Sequence, residues 1–140
     1  MPSNEPDLFA IPAKSTNTPG ISTFNLEITY GAGDPASAWG KDLAVANTST
    51  GKITVAFPRT YRKLTGFRWG WKKCAAGAVY FPVILTNSID TPDSSGRGFL
   101  VIETRTGAGT ATDPASGDVL SLEFEVTLDS LNDGYAITIT

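Results

Sequence analysis

From Ser22 onward, apolar and polar residues alternate with a period of two. In "STFNLEITY" (22–30) Phe24, Leu26, Ile28 and Tyr30 fall on one side and Thr23, Asn25, Glu27 and Thr29 on the other, the pattern of a strand with one buried face. "KITVAFP" repeats it with Ile53, Val55 and Phe57. "DVLSLEFEVTLD" sets Leu120, Leu122, Phe124, Val126 and Leu128 against Ser121, Glu123, Glu125 and Thr127. "AVYFPVILT" is a more continuous apolar run, as expected of a strand covered on both faces, and its Pro82 argues for an edge or a bulge. "RGFLVIETR" and the closing "GYAITIT" add two further runs. Between them lie the turn clusters "GAGDPASAWG", "NTSTGK", "NSIDTPDSSGRG", "GAGTATDPASGD" and "LNDG". No window keeps helical spacing for three turns without Gly or Pro. The pattern predicts an all-β fold, a β-sandwich or jelly roll of seven or eight antiparallel strands.

Residues 1–20 break this pattern. Pro2, Pro6, Pro12 and Pro19 alternate with Ser, Asn and Thr, and only Leu8, Phe9 and Ile11 could anchor the segment. Such a stretch cannot be helical and favours an extended path. It is expected to be an extended N-terminal arm pinned by a neighbouring subunit, the alternative being a disordered tail. Residues 21–140 are then expected to form a single domain, and at 140 residues the chain is long enough to bury roughly 70% of its unfolded surface. The stretch "MPSNEPDLFAIPAK" lacks the basic start and apolar core of a signal peptide, and no apolar run approaches membrane-spanning length.

Composition narrows the chemistry. There is no histidine and one cysteine, Cys74. The absence of histidine removes Ser-His-Asp and Cys-His nucleophiles, most zinc sites and the commonest general base. A lone cysteine cannot form an internal disulfide and fits a reducing compartment or assembly inside a cell. Net charge is −3, but it is unevenly placed. Lys52, Arg59, Arg62, Lys63, Arg68, Lys72 and Lys73 cluster in one stretch, no acid occurs between Asp42 and Asp90, and no cation follows Asp118.

The basic stretch contains "FRWGWKKC" (67–74), in which aromatics and cations interleave. A base-stacking platform needs both on the same face. On a strand, the pleat separates them: Phe67, Trp69 and Trp71 on one side, Arg68, Gly70 and Lys72 on the other. The aromatic row is therefore expected in the core, with Trp69 and Trp71 mainly buried, and the cations form a surface stripe. A stacking surface and a loop that breaks the alternation are the alternatives. The overall acidity and the acidic late strand argue against nucleic acid as the partner. An acidic protein surface, from another protein or a second copy of the chain, fits better.

Other chemistry is sparse. Asp34, Asp42, Asp113 and Asp118 could bind calcium, but their spacing matches no standard loop. Glu123 and Glu125 sit i, i+2 on one strand face, as paired glycosidase carboxylates could, and as the outward face of any half-buried strand commonly does. "GAGDPAS" (31–37) and "GAGTATDPAS" (107–116) echo one another, through shared turn chemistry or a duplicated half-domain.

A Pro-rich arm running into "STFNLEITY", "DPASGDVLSLEFEV" heading a late strand, and a small all-β body without histidine or paired cysteines together resemble the capsid decoration, or cement, proteins of tailed bacteriophages. The resemblance implies a non-enzymatic structural protein on the outer capsid surface of a virion assembled in the host cytoplasm. It also implies a dimer or trimer that braces major capsid protein subunits, with no cofactor, no nucleic acid and no membrane. Together with the charge pattern, it makes Leu8, Phe9, Ile11, Arg59, Arg62, Lys63, Arg68 and Lys72 the candidate partner-binding residues. Two alternatives remain. One is a phage tail, fibre or head-completion component. The other is a carbohydrate-binding β-sandwich module in which Trp39, Trp69 or Trp71 presents an exposed ring.

Overall fold

The alternation that begins the body becomes β1 (Ile21–Tyr30), and seven more strands follow: β2 (Pro35–Trp39), β3 (Ala44–Ser49), β4 (Lys52–Ala56), β5 (Lys63–Lys73), β6 (Tyr80–Ser88), β7 (Phe99–Thr106) and β8 (Val119–Thr127). These come from a computed structural model that describes residues 21–75, 80–128 and 139. Among the described residues there is no helix. The arm with Leu8, Phe9 and Ile11, and nearly all of "GYAITIT", lie outside them.

The strands form two antiparallel four-stranded sheets. We call them sheet A, ordered β2-β1-β8-β5, and sheet B, ordered β3-β4-β7-β6. Both supply one core. Leu26, Ile28, Leu120, Leu122, Phe124 and Val126 come from sheet A, and Ile53, Val55, Leu100 and Ile102 from sheet B. These are the inward positions of the period-two pattern. Burying each such side chain is worth roughly 1.5–3 kcal/mol. At one end Phe57, just past β4, packs edge-on against Phe24 and Phe124, with ring centroids 5.3 and 5.4 Å apart, and Tyr61 closes the cluster over Phe24.

Pro82 stands on β6, at the edge of sheet B, and a bulge follows between Ile84 and Thr86. The missing N–H there interrupts no ladder inside the sheet. Two strands differ from the sequence reading. β2 lies within the expected turn cluster "GAGDPASAWG", and β3 falls where no strand pattern stood out. Both are short, largely exposed edge strands, so neither carries the apolar alternation that a core-facing strand needs.

The aspartates act as turn fasteners. Asp113 accepts the Gly51 N–H at 2.6 Å and Asp34 accepts the Asn47 amide at 2.7 Å. Asp118, buried, takes the N–H of Ala75 on one oxygen at 2.9 Å and that of Ala115 on the other at 3.0 Å. Gly51 has a left-handed φ of 70°, and a Cβ there would stand 2.7 Å from the Thr112 carbonyl oxygen. Only glycine lets the β3–β4 turn tuck beneath that segment.

Candidate interaction surface

The pleat of β5 sorts the "FRWGWKK" side chains by face. Phe67, Trp69 and Trp71 stand opposite Phe124, Leu122 and Leu120 of β8, on the core side. Arg68 and Gly70 stand opposite Glu123 and Ser121, on the outer side. However, β5 is the edge of sheet A, so core-side direction does not guarantee burial. Phe67 stacks on Phe124 with centroids 5.5 Å apart. Trp71 is half-buried and donates its indole N–H to the Tyr80 carbonyl at 3.1 Å. Trp69 remains 44% exposed, which corrects the expectation that both tryptophans would be mainly buried. At the edge of the sheet its ring is only partly covered.

The outer face of sheet A carries the charge. Arg68 pairs with Glu123 across the β5–β8 ladder. Lys72, beside the bulge between Trp71 and Lys73, reaches Glu27 on β1 at 2.7 Å. That reach crosses β8 and is possible because the intervening row, Glu27–Ser121–Gly70, is small in the middle. Glu125 accepts the Thr65 hydroxyl at 3.1 Å. A shallow depression of about 290 Å³ lies over Gly70 and Ser121, flanked by Arg68, Lys72 and Trp69.

Arg68 and Lys72 thus meet acids of their own chain on this face. Arg68 and Lys72 are well exposed even when paired, and such pairs contribute about 0–1 kcal/mol each. They hold the side chains in place on the face without adding much stability. Arg59, Arg62 and Lys63 lie at the other end of β5. Arg59 sits 5.9 Å from the Tyr61 ring centroid and donates to the Thr60 carbonyl. Arg62 and Lys63 border a concavity of about 360 Å³ with Asn87 and Asp90. The eight candidates thus divide into an outer-face pair, an end group, and Leu8, Phe9 and Ile11 outside the described residues.

The carboxylates weighed as metal or catalytic groups are engaged in structural contacts. Glu123 is paired with Arg68 and Glu125 with Thr65, while Asp34 and Asp113 both fasten the β3–β4 hairpin and Asp118 fastens Ala75 and Ala115. Among the described residues no cluster of three or more acidic or thiol groups could hold a metal ion. Burial pushes the Cys74 thiol above its ordinary range, and Asp118 adds to the shift. Trp39, by contrast, is 73% exposed at the end of β2; that β2 is a strand, and therefore where the ring stands, could not be read from a segment resembling a turn. No protein-family model, curated protein or solved structure matches this chain.

Proposed function

We propose that this chain is a non-enzymatic structural protein of a phage virion, a β-sandwich that decorates the outer capsid by binding across major capsid protein subunits. The observation that carries the reading is the β5 margin of sheet A. There an exposed tryptophan, Trp69, adjoins an outer face on which Arg68 and Lys72 are held extended by acids of the same sheet. Tryptophan and arginine are the residues on which protein interfaces most often depend, and pre-positioned side chains lose less entropy on docking. Three connections, β1–β2, β3–β4 and β6–β7, stay within one sheet, and four, β2–β3, β4–β5, β5–β6 and β7–β8, pass between the sheets; we read the body as two antiparallel sheets packed as a β-sandwich.

The test is co-sedimentation of the purified chain with capsid shells that lack it. The wild-type chain is expected to pellet with the shells, and electron microscopy should place it on their outer surface. A double variant, Arg68→Glu with Trp69→Ala, is expected to lose roughly tenfold or more in affinity, the ordinary effect of removing interface anchors. The melting temperature of the free chain should change by only a few degrees. Decoration by the double variant at the wild-type level would overturn the role of this margin, and a wild-type chain that stays in the supernatant would overturn the capsid reading itself.

A further inference from the structure

A second concavity lies at the opposite margin of sheet A, and nothing in the capsid reading uses it. β2 ends at Trp39, which pairs with Glu27 of β1. Beyond that pair, β1 continues towards Ile21, and among the described residues no strand lies on its β2 side. The gap is a cleft of about 420 Å³ with Phe24 at its base, Thr23 and Asn25 on the β1 side, and Trp39, Lys41 and Asp42 as its other wall. Its volume lies in the range usual for small-ligand sites.

The wall is held in place. A Cβ on Gly40 would come within 2.8 Å of the Asn25 carbonyl oxygen, so glycine lets the chain leaving β2 press against β1. Asp42 is the one non-glycine among the described residues with a left-handed φ, 63°. Such a backbone persists where its surroundings impose it, and it is frequent at ligand sites. Here Arg97 braces the segment, donating Nη2 to the Asp42 carbonyl at 2.9 Å and Nε to the Phe57 carbonyl at 2.6 Å. Among the described residues, no hydrogen bond or ion pair occupies the side chains of Asn25, Lys41 or Asp42. The cleft therefore joins an exposed indole to an amide that both donates and accepts, an ammonium that donates and a carboxylate that accepts.

We infer that this cleft binds a neutral hexopyranose, with Trp39 as the stacking platform and Asn25, Lys41 and Asp42 as the hydroxyl-binding groups. A pyranose ring offers one face of C–H groups, which suits the electron-rich face of an indole. Its edges carry hydroxyls that both donate and accept, as the three polar side chains require. One cation and one anion leave the cleft without net charge, which favours a neutral sugar over an acidic one. Stacking on a single exposed ring makes the site shallow, so affinity for a mono- or disaccharide is expected in the region of about 1 mM.

The experiment uses the free chain in solution, so its outcome is independent of whether the protein binds capsids. Isotope-labelled protein is titrated with lactose, cellobiose and chitobiose, and separately with a short extended valine-threonine peptide. At least one disaccharide should move the Trp39 indole N–H together with the amides of Thr23 and Asn25. Trp39→Ala should weaken that binding roughly tenfold or more, the usual scale of one lost stacking partner, with Trp39→Phe recovering part of it. The ring is exposed, so the fold should survive both changes, and Trp69→Ala should bind sugar as the wild type does. The inference is overturned if none of the three disaccharides moves these resonances, or if binding survives Trp39→Ala. It is equally overturned if the peptide binds along the open edge of β1 and the sugars do not.

Discussion

Tyr30 closes β1 with its ring in the core and its hydroxyl hydrogen-bonded to Thr104. Burial pushes its pKa up to about 12 against the opposing hydrogen bond, and the Asp113 carboxylate adds to the rise. In the unfolded chain the phenol ionises near 10, so between pH 10 and 12 the folded state holds a proton that the unfolded state has lost. The stability tied to this group is complete below pH 10 and disappears as pH rises through the folded value, about 3 kcal/mol in all. Urea midpoints measured in steps from pH 9 to 12 should therefore fall steeply, and Tyr30→Phe should flatten the fall while costing a modest amount at neutral pH. An equally steep fall in the Phe variant would place the alkaline sensitivity elsewhere.

Edge strands show what an element can do with sequence features that look decisive in isolation. β5 alternates as well as any central strand, yet its core-side row passes from stacked Phe67 to half-open Trp69 within two residues. Trp71→Ala is expected to cost about 3 kcal/mol in chemical denaturation and Trp69→Ala about 1 kcal/mol, since only the first removes a ring packed against the core and Tyr80. Equal costs would mean that Trp69 belongs to the core. Bulges between Leu64 and Gly66 and between Trp71 and Lys73, with lysines at both ends, break up the free edge that would otherwise invite strand pairing. The same division explains what could be read from the chain alone. Apart from β5, the segments read as alternating became β1, β4 and β8, three of the four central strands, because a strand between two neighbours has only the core and solvent to sort its side chains. β2 and β3 bury little and so left no pattern. The charge segregation was visible, but its meaning depended on pairing: the basic 63–73 stretch and the acidic 118–125 stretch are neighbours in sheet A. Charges that are separate in sequence thus meet as Arg68 and Glu123, a contact that no local window contains.

At the scale of the whole molecule, the feature with the widest consequence is the place of β8 between β1 and β5. Its ladder joins Ile21 to Thr127 and Lys63 to the same residue, so sheet A has no middle until the last described strand exists. Sheet B is complete once β7 has been made. A ribosome adding about 5–20 residues per second leaves β1 without its principal partner for roughly 5–20 s. During that wait Leu26, Ile28, Phe67 and Trp71 have only half a core to enter, and both flanks of the missing strand are open for pairing with other chains. Folding governed by such distant pairings belongs to the slow end of the range for small domains. A fragment ending at Gly117 should accordingly fail to form a soluble domain, binding hydrophobic dyes and aggregating, and a synthetic peptide covering 118–128 added during refolding should rescue part of it. A soluble, protease-resistant 1–117 fragment would show that sheet A can close without its central strand. In the cell, the newborn chain is thus committed to its fold only once β8 has been made, and until then it depends on whatever shields an unfinished sheet from its neighbours on the same messenger.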